Sequence, residues 1–199
     1  MPEIDVTKER YKVVKKQFKS IKQGCETKVT SWFWASFALY SPEPYYFEKM
    51  NLPAGKIIKK EPANKKKKFL YGVDKNGEIV VERQYTSLDF ENFFYETFYC
   101  RSTDFIEVFK FDYDDRHLID IKQYWLQNGQ VVKEQMYDDE KVWCIETYEY
   151  DKEKVIRSFR KHMFSPPDGP IESTFHYEYD ENGVLSRILW NGKIHYERK

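Results

Sequence analysis

The first regular pattern of hydrophobic and polar positions in the chain is helical. Between Asp5 and Gly24, apolar residues recur at spacings of three and four, so they share one face of an α-helix whose other face is rich in lysine. This apolar stripe consists of Tyr11, Val14, Phe18 and Ile21. Asp5 or Thr7 can cap the start of the helix, and Gly24 stands where helices often end. The pattern predicts an amphipathic helix over residues 5–24. Its narrow apolar face lacks Trp and Leu, which favours packing on a sheet over binding to a membrane surface.

The second pattern is a stretch of aromatic and β-branched residues, VTSWFWASFALY, over residues 29–40. It favours a buried strand or a pair of strands, with a helix as the competing interpretation. The lysine-rich segment 56–68 is predicted to be a solvated loop between strands. A lysine run can also bind a phosphate backbone, but neither interleaved aromatic residues nor a recognition helix accompanies this one. We therefore expect no nucleic acid as a partner.

From Phe69 onward, short segments rich in Tyr, Phe, Val and Ile alternate with turn signals. Asn and Gly tolerate positive φ, so Asn-Gly dipeptides close tight hairpins whose twist matches that of the flanking strands. Four such dipeptides are present: Asn76-Gly77, Asn128-Gly129, Asn182-Gly183 and Asn191-Gly192. Aspartate pairs at 114–115 and 138–139 mark two further turns. The region 69–199 is therefore predicted to be a chain of antiparallel hairpins.

Together these patterns predict a single domain over residues 1–199, of the mainly β (α+β) class. An N-terminal amphipathic helix is followed by a large antiparallel, hairpin-connected twisted sheet, a meander. We expect roughly eight to eleven strands, in a sheet that is curled or split into two layers because open sheets of that size rarely stay flat.

An imperfect repeat runs through the hairpin region. Each unit has an aromatic residue, any residue, an aromatic residue or Val, then Asp, a turn and a β-rich strand. The four aspartates, 40, 37 and 29 residues apart, are Asp74, Asp114, Asp151 and Asp180. The residues expected to adopt the turn conformation in these units are Gly77, His117, Lys154 and Gly183. An Asp carboxylate at the start of a turn can accept hydrogen bonds from backbone amides two residues on, which gives the aspartate a local structural role.

This pattern resembles the YD repeat of bacterial rearrangement-hotspot (RHS) proteins. The best-matching stretch is 177–196, YEYDENGVLSRILWNGKIHY, which carries Tyr-x-Tyr-Asp-x-x-Gly-x-Leu. The resemblance covers about 69–199, although only two of the four units have the glycine and the copies are too few to enclose anything. Similar Tyr-Asp hairpin strings occur in small bacterial proteins encoded beside polymorphic toxins, including immunity proteins. The resemblance implies a hairpin fold and an immunity-type function.

The net charge of zero, from 33 basic and 33 acidic residues, is the sum of two unequal parts. Residues 1–68 hold 16 Lys and Arg but only 7 Asp and Glu, whereas 69–199 hold 17 and 26. The two parts can simply pair within one domain. The acidic excess can instead form a surface that attracts a basic protein.

The sequence contains no GxGxxG, P-loop, HExxH or GxSxG motif. The histidines are scattered, and only His176, Glu178 and His195 are candidates for a small polar cluster between C-terminal hairpins. The acidic pairs lie in predicted exposed turns, where nothing raises the pKa of a carboxylate for catalysis, and no EF-hand spacing is present. We therefore expect a protein that is not an enzyme and has neither a cofactor nor a metal site.

Cysteine usage and hydropathy bear on the compartment. Three widely spaced cysteines, Cys25, Cys100 and Cys144, are expected to be buried, inert thiols. No apolar run is long enough to span a membrane and no secretory signal is visible, so we expect a cytoplasmic protein without membrane insertion.

The leading functional hypothesis is an immunity protein, or antitoxin, that occludes a cognate basic bacterial toxin through an acidic, aromatic β surface. Aromatic residues anchor such interfaces, and acidic groups steer a basic partner towards them. The acidic turn tips are expected to lie along one end or edge of the sheet. The expected partner-binding residues are Asp112, Tyr113, Asp114, Asp115, Trp125, Tyr137, Asp138, Asp139, Glu140, Asp180 and Glu181.

The alternative is a ligand-binding β domain that holds a lipid or another apolar small molecule in a curled aromatic sheet. The residues expected to line that concavity are Trp32, Phe33, Trp34 and Phe37. An enzyme of unrecognised type and a purely structural YD-repeat fragment are the remaining possibilities.

Overall fold

Eleven consecutive antiparallel strands, β3 to β13, lie side by side in chain order across one sheet. The computed structural model of the protein describes residues 2–86, 93–166 and 168–198. In this part of the chain, β1 and β2 extend the sheet beyond β3, which gives thirteen strands in the order β13-β12-β11-β10-β9-β8-β7-β6-β5-β4-β3-β1-β2. The predicted mainly β, antiparallel meander is confirmed. The hairpin region contributes eleven of these strands, within the eight to eleven expected for the meander, and β1 and β2 bring the single sheet to thirteen.

The helices and strands have the following bounds. The helices are α1 Pro2–Val14, α2 Phe18–Glu26 and α3 Tyr46–Lys49. The first strands are β1 Ser31–Ala35, β2 Ile57–Ile58, β3 Phe69–Val73, β4 Ile79–Tyr85, β5 Phe94–Arg101, β6 Phe105–Phe111 and β7 Leu118–Gln127. The remaining strands are β8 Gln130–Asp138, β9 Trp143–Tyr150, β10 Ile156–Ser165, β11 Gly169–Tyr179, β12 Leu185–Trp190 and β13 Lys193–Glu197.

All four Asn-Gly dipeptides lie in hairpin turns, as predicted. Asn128 and Gly129 both have positive φ, at 53° and 78°, as do Asn191 and Gly192, at 48° and 78°. Positive φ at both central residues is the mark of the two-residue type I′ hairpin. In the other two turns only the glycine has positive φ. These turns are one residue longer and begin at a repeat aspartate.

The repeat aspartates organise their turns through backbone amides. The Oδ1 atom of Asp180 accepts the N–H groups of Asn182 and Val184, both at 2.9 Å. Asp74 and Asp151 make the equivalent pair of bonds. The local role predicted for the aspartate is therefore confirmed in these three units.

The predicted register of the second unit is wrong. The turn that follows β6 begins at Asp112 rather than Asp114, because the Asp112 amide bonds the carbonyl of His117 and its carboxylate accepts the Asp114 amide. The residue with positive φ is Arg116, at 60°, not His117. A fifth turn of the same kind begins at Asp138, whose Oδ1 accepts the Val142 amide.

The predicted helix over residues 5–24 is broken into α1 and α2. The predicted ends are also wrong: α1 begins before Asp5, and Gly24 lies inside α2. Thr7 is fully buried, and its hydroxyl meets the side chains of Gln123 and Gln135 on the sheet at 2.7 and 2.8 Å. The predicted apolar stripe does pack on the sheet, in one cluster with Phe98, Phe109 and Ile121.

The stretch 29–40 contains strand β1, so the strand interpretation is confirmed and the helical alternative is wrong. The prediction that this strand is buried is correct only at Ala35, whereas Ser31 and Trp32 are exposed. After β1, that stretch runs into residues 36–55, which we call the strap. The strap crosses the face of the sheet opposite α1 and α2. Its Tyr40 packs against Tyr99 and its Tyr45 against Tyr177, with ring centroids 5.5 and 5.3 Å apart. The sheet therefore has a helix face and a strap face, each with its own core.

Candidate functional sites

Successive turns of a meander alternate between the two ends of the sheet, and this sorts the acidic turns into two groups. The turns at 112–117 and 138–142 are neighbours at one end, where the Asp139 amide donates to the carbonyl of Ile119 at 2.9 Å. We call these two turns the acidic end. The turn at 180–184 follows β11 and lies at the opposite end, with the turns at 74–78 and 151–155. The expectation that all the acidic tips share one end is therefore wrong for Asp180 and Glu181.

His117 joins the two turns of the acidic end. Its Nδ1 lies 2.6 Å from an Asp115 oxygen and its Nε2 lies 3.2 Å from an Asp139 oxygen. The hydrogen bond to Asp115 raises the pKa of His117, and the backbone and side-chain N–H groups of His117 lower the pKa of Asp115. The histidine thus holds carboxylates from two separate hairpins at one place.

The acidic end carries six acidic residues and only two basic ones, Arg116 and Lys141. Arg116 turns inward, donating to the carbonyl of Phe94 at 3.0 Å and lying 3.7 Å from the buried Glu96 carboxylate. Within the described ranges, the carboxylates of Asp114 and Glu140 make neither an ion pair nor a hydrogen bond. At the opposite end, by contrast, arginines contact the acids. Arg157 donates to Asp151 at 2.8 Å and Arg198 lies 3.9 Å from Asp180.

The three aromatic residues predicted for the partner surface lie in three different environments. Tyr113 is half-buried at the acidic end, and its ring contacts those of Phe93 and Tyr95, with both centroid distances at 5.2 Å. Trp125 lies towards the other end of β7 and packs edge-on against Phe105. Tyr137 is only 8% exposed and packs against Tyr11 of α1. The structure therefore brings Tyr113 together with the acidic residues, leaves Trp125 apart from them and places Tyr137 in the core.

The strap face holds a buried network of charges that sequence reasoning missed. Lys49 of the strap is 8% exposed, and its ammonium lies 2.6 Å from a Glu146 oxygen and also contacts Glu43. Burial alone would raise the pKa of Glu146, but Lys49 and Lys161 outweigh that effect and lower it. Glu134 lies beside this group with Lys122 at 3.4 Å.

The pKa values of Glu134 and Glu146 shift in opposite directions. Burial raises the pKa of Glu134 to about 8, and its Oε2 has no hydrogen-bond partner among the residues that the structure describes. Ligand oxygens of Glu43, Glu134 and Glu146 approach within 4.8 Å of one another, a spacing that suits a metal ion. The Lys49 ammonium contacts two of the three carboxylates, so it supplies there the positive charge that an ion would bring. One feature of the sequence indicates the network. In the alternating pattern of β9, Glu146 lies on the same inward face as Cys144 and Tyr148.

A cavity of about 390 Å³ lies between the strap and the sheet. Aromatic residues and four charged ones line it, the latter being Glu82, Lys110, Asp120 and Lys122. Burial raises the pKa of Glu82 to about 7, and the hydroxyl of Tyr99 donates to it at 3.3 Å. Of the four residues expected to line an apolar concavity, Phe37 lines this cavity. The other three, Trp32, Phe33 and Trp34, lie on β1 and do not line it.

The candidate cluster of His176, Glu178 and His195 does not form. His176 and Glu178 alternate along β11 with Phe175 and Tyr177, so they project from the helix face and are exposed. His195 lies on the strap face, where its Nε2 meets the carbonyl of Lys49 at 2.6 Å. The sheet itself separates the two histidines.

Comparison of the chain with protein-family models and with curated protein sequences gave no match. None of the helices in the described ranges combines the length and the hydrophobicity needed to cross a bilayer.

Proposed function

We propose that this protein is a non-enzymatic binding module, an immunity protein that blocks a basic bacterial toxin, and that the toxin docks on the acidic end. The observation that carries the proposal is the concentration of six acidic side chains in two neighbouring turns joined by His117. The YD-like hairpin pattern supports a toxin as the partner. Because Asp180, Glu181 and Trp125 lie elsewhere and Tyr137 is buried, the docking surface reduces to Asp112, Tyr113, Asp114, Asp115, Asp138, Asp139 and Glu140.

Charge explains how this surface would act. Carboxylates that no neighbouring cation neutralises produce a field that raises the association rate of a basic partner. Tyr113 adds a ring that is held in place by Phe93 and Tyr95, and a rigid aromatic residue is a suitable interface anchor. The mechanism is steric occlusion of the toxin, without a chemical step.

Coexpression with the protein encoded by the neighbouring gene tests the proposal. The expected result is that the neighbouring product alone arrests growth, that this chain restores growth and that the two proteins copurify. Failure to restore growth in the presence of an active neighbouring toxin would contradict it.

Charge-matched variants then test the location of the surface. The triple variant Asp114→Asn, Asp139→Asn, Glu140→Gln should lower the association rate about tenfold at low salt. A control that removes three exposed acids elsewhere, Glu149→Gln, Glu178→Gln, Glu181→Gln, should change it by less than about twofold. Equal effects of the two variants would place the interface away from the acidic end.

A second candidate function is the binding of a small polar molecule in the strap cavity. Because two acids and two lysines line this cavity, a molecule with both a positive and a negative group fits it better than a lipid does. Titration calorimetry with the free amino acids as probes tests this idea. Binding that is lost in Glu82→Gln supports it, and no heat from any probe would contradict it.

A further inference from the structure

Two of the three cysteines lie in direct contact across the helix face. Cys25 belongs to the last turn of α2 and Cys100 to β5, and their Sγ atoms are 3.8 Å apart. The chain separation of 75 residues hides this pairing in the sequence. Both are free thiols in this structure.

We propose that Cys25 and Cys100 form an oxidation site at which a peroxide converts the dithiol into an intramolecular disulfide that fastens α2 to the sheet. A disulfide has an S–S length of about 2.05 Å, so the sulfurs must approach by roughly 1.8 Å. Rotation of the two side chains and a small shift of the last turn of α2 supply this movement. The inference does not depend on the proposed function.

The environments of the two thiols indicate which of them reacts first with the oxidant. Cys100 is partly exposed whereas Cys25 is 2% exposed, so the oxidant reaches Cys100 first. The charged groups around the pair are Arg10, Glu26, Lys28 and Glu107. The hydrogen bond from Cys25 lowers the pKa of Cys100 to about 7, with further help from Lys28. The same contact and burial raise the pKa of Cys25. The thiolate is the reactive form of cysteine, so Cys100 is the attacking residue.

The reaction balances with hydrogen peroxide as the named oxidant. The Cys100 thiolate attacks one peroxide oxygen, which breaks the O–O bond and gives a sulfenic acid and hydroxide. The Cys25 sulfur then attacks the Cys100 sulfur, the S–O bond breaks, and the oxygen leaves as water with the Cys25 proton. Overall, two thiols lose two electrons and two protons, and one peroxide becomes two water molecules.

Cys144 provides an internal control. It is buried on β9, burial raises its pKa to about 12, and it has no thiol neighbour among the described residues. If accessibility alone determined oxidation, Cys144 and Cys25 would react alike, because both are buried. If the contact between Cys25 and Cys100 determines it, Cys144 remains as the one free thiol.

The test is to treat the full chain with hydrogen peroxide, unfold it in urea so that the buried thiols become accessible, block free thiols with N-ethylmaleimide and measure intact mass without reductant. The expected product has lost two hydrogens, carries one maleimide instead of three, and yields a crosslinked peptide containing Cys25 and Cys100. Cys144→Ser should still form the crosslink, and dithiothreitol should reverse it. The melting temperature of the oxidised protein should exceed that of the reduced protein, because the crosslink constrains the unfolded chain.

Single variants distinguish the formation of the sulfenic acid from the formation of the disulfide. In Cys25→Ser the sulfenic acid on Cys100 should persist and react with dimedone, whereas Cys100→Ser should give neither crosslink nor dimedone adduct. Three maleimides on the peroxide-treated protein would overturn the proposal. Loss of the Cys144 label at the same rate as the Cys100 label would also overturn it.

Discussion

The ammonium of Lys49 lies 2.6 Å from a carboxylate oxygen of Glu146, although 97 residues separate them in the chain. Both side chains are buried, at 8% and 4% exposure. The ammonium also lies 4.0 Å from the centre of the Phe159 ring. This contact fastens the strap to the middle of the strap face of the sheet. Glu43 is the second carboxylate in contact with the ammonium. A buried cation with two carboxylate partners makes the strap part of the folded core.

Replacement of Lys49 by Met should therefore destabilise the protein strongly. The variant keeps the length of the side chain but removes the nearest cation of Glu43 and Glu146, which are left with Lys122 at 3.9 Å and Lys161 at 3.5 Å. Breaking a buried pair in this way costs about 3–5 kcal/mol of unfolding free energy. Urea denaturation measures the loss, with Lys152→Met in an exposed turn as the control, which should change stability by less than about 0.5 kcal/mol. Adding Glu146→Gln to Lys49→Met should restore part of the loss. A Lys49→Met protein as stable as the control would show that the contact has no energetic role.

Glu82 should make stability fall as the pH rises. Its pKa is about 7 in the folded protein against an ordinary value of 4.5, so between these values the folded state holds a proton that the unfolded state has released. Each pH unit in that window then costs about 1.4 kcal/mol of unfolding free energy, or about 3 kcal/mol in total by pH 8. The stabilising effect is complete below pH 4.5 and is lost as the pH rises through 7.

The variant Glu82→Gln isolates this effect, because the amide resembles the protonated acid and does not titrate. Urea unfolding at several pH values should show the wild-type stability falling relative to that of the variant between pH 4.5 and 8. Parallel pH profiles of the two proteins would contradict the raised pKa of Glu82.

Local signals in the sequence were sufficient to predict the hairpin region. An Asn-Gly turn depends only on the φ angles of its own two residues, so Asn128-Gly129 and Asn191-Gly192 could be assigned without the rest of the chain. The break between α1 and α2 was missed because the apolar stripe continues through it from Val14 to Phe18. In the structure the stripe does face the sheet, but from two helices.

The candidate sites were less predictable because they depend on contacts that are distant in the chain. Periodicity indicates which face a residue occupies, but it does not indicate what covers that face. The strap has few regular elements, so nothing in its sequence indicated that Lys49 would meet Glu146. Likewise, successive turns lie at alternate ends of the sheet, which places Asp139 beside Asp115 and Asp180 at the other end. Predicting this placement requires the number and order of the strands.

Asp74 tests whether the repeat aspartate stabilises its turn. Its Oδ1 accepts the amides of Asn76 at 2.8 Å and Glu78 at 3.0 Å, so Asp74→Ala leaves both donors to solvent. We expect the free energy of unfolding to fall by about 1–2 kcal/mol. Asp114→Ala is the matched control, since the Asp114 carboxylate accepts no hydrogen bond in the described ranges, and its effect should stay below about 0.5 kcal/mol. Equal losses in thermal unfolding would assign the Asp74 effect to charge rather than to turn geometry.

A reciprocal exchange between two turns isolates the role of the glycine in the repeat. The turns that begin at Asp151 and Asp180 share the same backbone hydrogen bonds, but their left-handed position is Lys154, with φ of 64°, in one and Gly183, with φ of 73°, in the other. A Cβ atom added at Gly183 would meet no atom within 4 Å, so the main effect of a substitution there is on the conformational preference of the backbone.

The left-handed conformation costs a residue with a side chain about 1–2 kcal/mol, and the greater freedom of glycine in the unfolded chain offsets part of that difference. Lys154→Gly should therefore raise the free energy of unfolding by about 0.5–1 kcal/mol. Gly183→Lys should lower it by a similar amount. Chemical denaturation of the two single variants and of the double variant measures both effects, which should nearly cancel when combined. If both single variants destabilise the protein, interactions of the Lys154 side chain outweigh its backbone strain, and the glycine of the repeat is not a conformational requirement in that turn.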